Sequence, residues 1–247
     1  MNLSHIFRFF TLSLFWQLLL LPGLAVRAQS QLESRHTLPE GIIFHENFEP
    51  PGDDKPKGSS GAGSRDGLKC SEDTQSIRPL MPKRNYGLTF AEHPTIFISL
   101  PKTSAQQVVL TFQDEAGKYY QRAFLPITAD EQIVSFTLPD DKPPLEVGKN
   151  YQWSLILVCG KTVQPDDPVV RGWVQRVAKT PKIESELRQK SLIEQAEWYA
   201  NKGYWYDMLR VIVEARRSHP DDAQLTKLWK DLLNSVQLGA VVSETPD

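Results

Sequence analysis

Between Pro94 and Val177 the chain alternates apolar and polar positions with a period of two. The runs are PTIFISLP, QQVVLTFQD, GKYYQRAFLP, EQIVSFTLP, NYQWSLILVCG and VVRGWVQRV. Side chains on an extended chain point to opposite faces in turn, so this alternation, in β-branched and aromatic residues bounded by Gly, Pro, Asn and Asp, predicts strands. Tyr151, Trp153, Leu155 and Leu157 share one face of a run whose other face opens with Gln152 and Ser154. Val108, Leu110 and Phe112 alternate with Val109 and Thr111, and Asp114 to Gly117 reads as the turn into the next run. Val134 and Phe136 alternate with Ile133, Ser135 and Thr137 before Pro139, while Ile96 and Phe97 form a short run between Pro94 and Pro101. Such runs, spaced at roughly 8–12 residues and joined by turns, predict a sandwich or barrel; an α/β sheet would need helical crossovers.

After Lys179-Thr-Pro181 the period becomes helical. Leu192, Ala196 and Tyr199 recur, then Trp205, Leu209, Ile212 and Arg216, then Leu225, Leu228, Trp229, Leu232 and Val236. Gly203 stands where a left-handed cap would end the first of these helices. His219-Pro220 ends the second, and Asp221 with Gln224 reads as a capping-box start of the third. The stretch WYANKGYWYDMLRVIVEARRSHPDD resembles one tetratricopeptide-type helical pair. About three repeats are needed to bury such a core, so the pair is expected to pack on the sandwich or on a partner. Trp198, Tyr199, Tyr204, Trp205 and Tyr206 read first as core and second as a peptide-gripping surface, with Trp205 a candidate partner contact.

Met1 to Ala28 has the pattern of a secretory signal: Arg8, an apolar run from Phe9 to Leu21, Pro22-Gly23, then Val26-Arg27-Ala28 before cleavage. The apolar run is shorter than the ~20 residues a membrane-spanning helix wants, so no stable span is expected after cleavage. The expected organisation is a signal peptide at 1–28, a Pro/Gly/Ser-rich, largely disordered tail at 29–84, a sandwich at 85–178 and a helical segment at 179–240. The tail is too poor in apolar side chains to offset the entropy of ordering. The chain's net charge is −2, and −4 once Arg8 and Arg27 leave with the signal. A mildly acidic chain without basic blocks excludes nucleic acid as the expected partner.

The chain has two cysteines, Cys70 and Cys159. An even count in an oxidising compartment favours a disulfide stapling the tail to the sandwich. A zinc pair would need four ligands, and an activated thiol would need a His partner. The histidines, His5, His36, His45, His93 and His219, form no HExxH or helical ligand pair, and no Gly-x-Ser-x-Gly elbow or phosphate loop occurs. The pairs Asp53-Asp54, Asp140-Asp141, Asp166-Asp167 and Asp221-Asp222 read as turn and cap residues, with a calcium loop as the lesser alternative since no DxDxDG spacing occurs. No cofactor, metal or catalytic residue is assigned.

The run from Leu145 through Gly148 to Tyr151 resembles the turn before the sixth strand of immunoglobulin-like and fibronectin type III domains, where a tyrosine hydroxyl bonds back to upstream backbone. Tyr151 would be that corner, Trp153 a core residue, and Trp173 its partner across the sheets. The fold is therefore expected to be mainly β, an immunoglobulin/fibronectin-III-like β-sandwich followed by a C-terminal α-helical hairpin, α+β overall.

A wider set of residues carries a second resemblance. It comprises Phe48-x-Pro50-Pro51, Gly61-x-Gly63-Ser64-Arg65 leading to Cys70, Pro94-Thr95, Leu145-x-Val147-Gly148-Lys149-x-Tyr151-x-Trp153, Gly172 to Val177, and Gly203-x-Trp205-Tyr206-Asp207. The set resembles the cyanobacterial secreted domain-of-unknown-function family 928 (DUF928). It implies a cyanobacterial source and an exported, secreted or periplasmic location, and supplies no catalytic residue and no ligand. The expected function is a non-catalytic binding or assembly module of the periplasm or cell exterior, its partner another exported protein or a surface glycan. The alternative is a hydrolase acting on glycan or peptide through an unrecognised carboxylate site. Arg171, Gln175 and Arg176, on a last strand expected to lie at a sheet edge, are the candidate partner contacts.

Overall fold

The computed structural model describes residues 69–72, 75–128 and 132–239. The expected signal peptide and most of the expected tail lie outside the described residues. Within them, eight strands come first: β1 (Arg78–Pro79), β2 (Tyr86–Thr89), β3 (Ile96–Ser99), β4 (Gln107–Asp114), β5 (Tyr119–Pro126), β6 (Ile133–Phe136), β7 (Asn150–Leu157) and β8 (Val169–Arg176). Four helices follow: α1 (Pro181–Arg188), α2 (Leu192–Lys202), α3 (Trp205–Ser218) and α4 (Ala223–Ser235).

The strands form two mostly antiparallel sheets, β1-β3-β6 and β2-β8-β7-β4-β5, with β2 parallel to β8. Among the described residues helix takes 28% and strand 29%, so the fold is α+β, and the expected weighting towards β understates the helical layer. That layer also exceeds a hairpin. Helix α1 was not anticipated, because its eight residues bury only Leu187 and so show no apolar stripe.

The period-two pattern works as expected. In β7, Tyr151, Trp153, Leu155 and Leu157 are buried, while Gln152, Ser154 and Ile156 are half-buried on the other face. Residues opposite one another share a face, so Phe112 with Trp153, Leu110 with Leu155, and Val108 with Leu157 make one apolar layer. Ile96, Ile98, Val134 and Phe136 are buried on the alternating positions of the three-stranded sheet.

The helices lie on the other face of that three-stranded sheet. Phe97, Ile133 and Ser135 form one wall of a groove of about 210 Å³, and Val213, Arg216, Arg217 and Trp229 of α3 and α4 form the other. Arg78 adds a tie by donating to the Gln237 carbonyl at 3.2 Å.

Two sequence boundaries need correction. The fold begins before position 85: β1 pairs with β3, and Ile77, Leu80 and Met81 are buried in the core. These residues are too few to show a period, and only the arrival of β3 and the helices gives them a surface to bury. At α4 the N-cap is Asp222, not Asp221; its carboxylate accepts from the N–H groups of Gln224 and Leu225. The capping box with both reciprocal bonds belongs instead to Ser191 and Glu194 at α2. Gly203 ends α2 at φ 85°, as its spacing predicts; a side chain in this left-handed backbone would be strained.

Candidate functional site

Three constellations contain the polar chemistry: an anchor between α3 and the sandwich, a clasp at the start of the described chain, and the open face of the five-stranded sheet.

The anchor is built by consecutive residues. The Gly203 carbonyl accepts from the N–H of Leu88 at 2.9 Å, which caps the outer edge of β2. Trp205, 1% exposed, donates its indole N–H to the Leu80 carbonyl at 2.9 Å. The Tyr206 hydroxyl accepts from the Trp153 indole at 2.7 Å and donates to the Trp173 carbonyl at 2.9 Å. Asp207 accepts from the Phe90 N–H at 3.0 Å and is bonded by the Thr89 hydroxyl.

Burial pushes the Asp207 carboxyl above the ordinary carboxylate range, against the pull of these two donors and of Arg210 and Lys179. Burial likewise raises the Tyr206 phenol, and raises Tyr199 to about 12 with the Asp207 charge as a further cause. Around the anchor, Phe90 stacks on Tyr204 at 4.0 Å between ring centroids, and Tyr204 on Trp198 at 5.6 Å. Trp205 is therefore corrected from partner contact to buried anchor.

The clasp joins the start of the described residues to the loop just after β7. Cys70 and Cys159 are disulfide-bonded, with Cα atoms 5.4 Å apart across 89 residues. Next to the bond, the Lys69 ammonium reaches Asp166 at 2.7 Å and the buried Asp167 at 3.0 Å. The Lys69 hydrogen bond holds the Asp166 carboxyl below its usual range. Asp167 also accepts from the Gln164 N–H, so this acidic pair organises a loop, as the turn reading expects.

Tyr151, the expected corner residue, accepts from the Glu146 N–H at 3.4 Å, and burial pushes its phenol up to about 12. Trp153 is fully buried, its indole resting over Gly172. A Cβ added at Gly172 would lie 2.3 Å from the Trp153 ring. Trp173 is not its partner across the sheets. It pairs with Gln152 and Tyr86, one residue out of step, and so belongs to the opposite face of the same sheet.

The last strand is corrected too. β8 lies between β2 and β7, with backbone partners on both sides, and is not an edge. Arg176 donates to the Leu145 carbonyl at 2.8 Å and to Glu92 at 2.7 Å, and Gln175 donates to the Gly148 carbonyl at 3.3 Å. Both brace the corner. Arg171 is exposed on the sheet face that points away from the three-stranded sheet.

On that face, cross-strand register lines residues up in rows. Phe124, Val109, Ile156 and Val169 make an apolar row over β5, β4, β7 and β8. Arg122, Thr111, Ser154 and Arg171 make the next, a hydroxyl pair with a guanidinium at each end. Phe124 is 55% exposed and continues into a cavity of about 530 Å³ that Gln107, Val158 and Lys161 also line. The legible signal for this face was parity: Arg122 and Phe124 fall two apart, opposite in phase to the half-buried or buried Ala123 and Leu125.

The edges of this sheet are β2 and β5. The Ile127 N–H donates to the Gln106 carbonyl at 2.9 Å, which sets the ladder's parity and turns the backbone of Arg122 and Phe124 away from β4. Pro126 lacks an N–H, and the register breaks between Phe112 and Gln113, so the β5 edge is short at both ends.

Among the described residues, no group of three or more His, Cys, Asp or Glu side chains converges to hold a metal, and no helix is long and apolar enough to cross a membrane. No curated protein matches the chain. The family model described as Domain of Unknown Function (DUF928) matches residues 60–246, more than half of the chain. Its reach takes in the clasp, both sheets and the helical anchor, and the chain belongs to that DUF928 family.

Proposed function

We propose that this protein is a non-catalytic binding or assembly module acting outside the cytoplasm, built on an immunoglobulin- or fibronectin-III-like sandwich. The disulfide fits an oxidising compartment. The two-sheet order and the Tyr151–Glu146 bond at the head of β7 support the sandwich type. The proposed division is a signal peptide at 1–28, a linking tail, the sandwich, and a helical segment locked onto it by the anchor.

One observation carries the binding reading: the rows of side chains that β4, β5, β7 and β8 turn away from the three-stranded sheet. They combine an exposed aromatic, hydroxyls and two guanidiniums on a rigid support, a composition suited to recognition. Outside this face, three carboxylates serve as ties, Asp207 on β2, Asp167 on Lys69 and Glu92 on Arg176.

A photo-cross-linking phenylalanine analogue at Phe124, set against the same group at exposed Lys230, tests the reading in the exported fraction of producing cells. A defined adduct at position 124 alone is the expected result. Equal labelling at both positions, or none at 124, would overturn it.

A further inference from the structure

We infer that the open face of the five-stranded sheet holds an anionic polysaccharide, a reading that rests on the binding-module proposal and names its ligand class. Charge complementarity is the first argument. The protein is net negative, yet the residues of β4, β5, β7 and β8 on this face include Arg122 and Arg171 and no carboxylate. At neighbouring-strand spacings of about 4.8 Å, the two arginines stand roughly 14 Å apart across three steps. Between them the half-buried Ser154 offers a hydroxyl, while the buried Thr111 donates its own to the Ser154 carbonyl, and Gln113 and Gln152 in the following row offer amides.

The second argument is the adjacent apolar row. Phe124, Ile156 and Val169, with Val109 buried between the first two, give an apolar strip against which the C–H face of a sugar ring can lie, Phe124 being the most exposed member. The strip leads into the cavity where Lys161 adds a further cation. Acidic groups repeating along a chain of rings match these alternating cationic and apolar features. A nucleic acid would want a denser run of cations. An extended acidic peptide would want a longer free edge than Pro126 and the register break leave on β5.

The test uses the full exported chain with its disulfide intact, titrated with polygalacturonate, dextran sulfate, neutral dextran and polyglutamate. Binding of a polyanionic sugar, with neutral dextran inert and polyglutamate weaker, is expected. Arg171→Glu should weaken the sugar at least about tenfold, through like-charge repulsion, and Phe124→Ala several-fold. Lys230→Glu, an equal charge change on α4, should leave binding unchanged. All three positions are exposed, and circular dichroism checks that each variant is folded.

Failure of both polyanionic sugars overturns the inference. So does polyglutamate binding as tightly as the sugars, which would mark an acidic protein as partner. Equal losses for Lys230→Glu and Arg171→Glu would reduce the effect to net charge and overturn it as well. If the sugars fail while position 124 still captures a partner, the ligand class falls and the module reading stands.

Discussion

The indole N–H of Trp153 donates to the hydroxyl of Tyr206 at 2.7 Å, joining the centre of the sandwich core to the first turn of α3. The same hydroxyl donates to the Trp173 carbonyl, so one phenol ties two strands of the larger sheet to the helical layer. Tyr206→Phe removes the hydroxyl, keeps the ring, and leaves the buried Trp153 N–H without a partner, while the Trp173 carbonyl keeps its place in the β2–β8 ladder. An orphaned buried group costs about 1–3 kcal/mol, so a loss of that size is expected in urea unfolding. A change below about 0.5 kcal/mol would show that the tie contributes nothing.

Gly172 is there to make room. A Cβ at this position would stand 2.3 Å from a rigid indole, so Gly172→Ala should destabilise by about 1–3 kcal/mol or more and perturb the near-ultraviolet signal of Trp153. Trp153→Leu is destabilising alone, but in its presence Gly172→Ala should cost much less. A double-mutant cycle on unfolding free energies measures this coupling. Additive effects would place the glycine's role elsewhere.

The disulfide spans 89 residues. In the chain-entropy model, a loop of that length is stabilised by up to about 4–5 kcal/mol relative to the open chain. Cys70→Ser or Cys159→Ser should lower the urea midpoint accordingly, and reductant should reproduce the loss in the parent protein. Mass spectrometry under non-reducing conditions should find both thiols oxidised; two free thiols in protein purified without reductant would remove the clasp.

Asp207 gives a pH dependence of known sign. Its folded-state pKa is raised by burial, so the folded protein holds this proton more tightly than the unfolded chain does. Stability from this group is greatest below the unfolded carboxyl value of about 3.9 and falls as pH rises through the folded value. Asp207→Asn keeps an acceptor for the Phe90 N–H and removes the charge. Relative to the parent, it should gain stability as pH rises from 4 to neutral, read as the difference in urea midpoint at each pH. Asp166 runs the other way, since Lys69 holds its carboxyl low and that contribution fades in acid. A constant difference between parent and Asp207→Asn would show that the carboxylate is not buried as described.

Period two in residues 94–177 and the helical period after Pro181 are local properties, set by which side chains fall on one face, so strands, helices and the Gly203 cap could be read from the chain alone. The bond from Glu146 to Tyr151 and the pairing of the two cysteines were within reach for similar reasons: a turn of few residues in one case, an even cysteine count in the other. Position within a sheet is not local. Whether β8 is an edge depends on β2 arriving parallel beside it from far upstream, and that arrival turned Gln175 and Arg176 into braces. The burial of Trp205 and Tyr206 needed β2, β7 and β8 to present Gly87, Trp153 and Gly172, residues more than thirty positions away. The row from Arg122 to Arg171 likewise exists only through the register of four strands. Side-chain alternation belongs to the sequence, whereas neighbours across hydrogen-bonded strands are chosen by the whole fold's burial of its apolar faces.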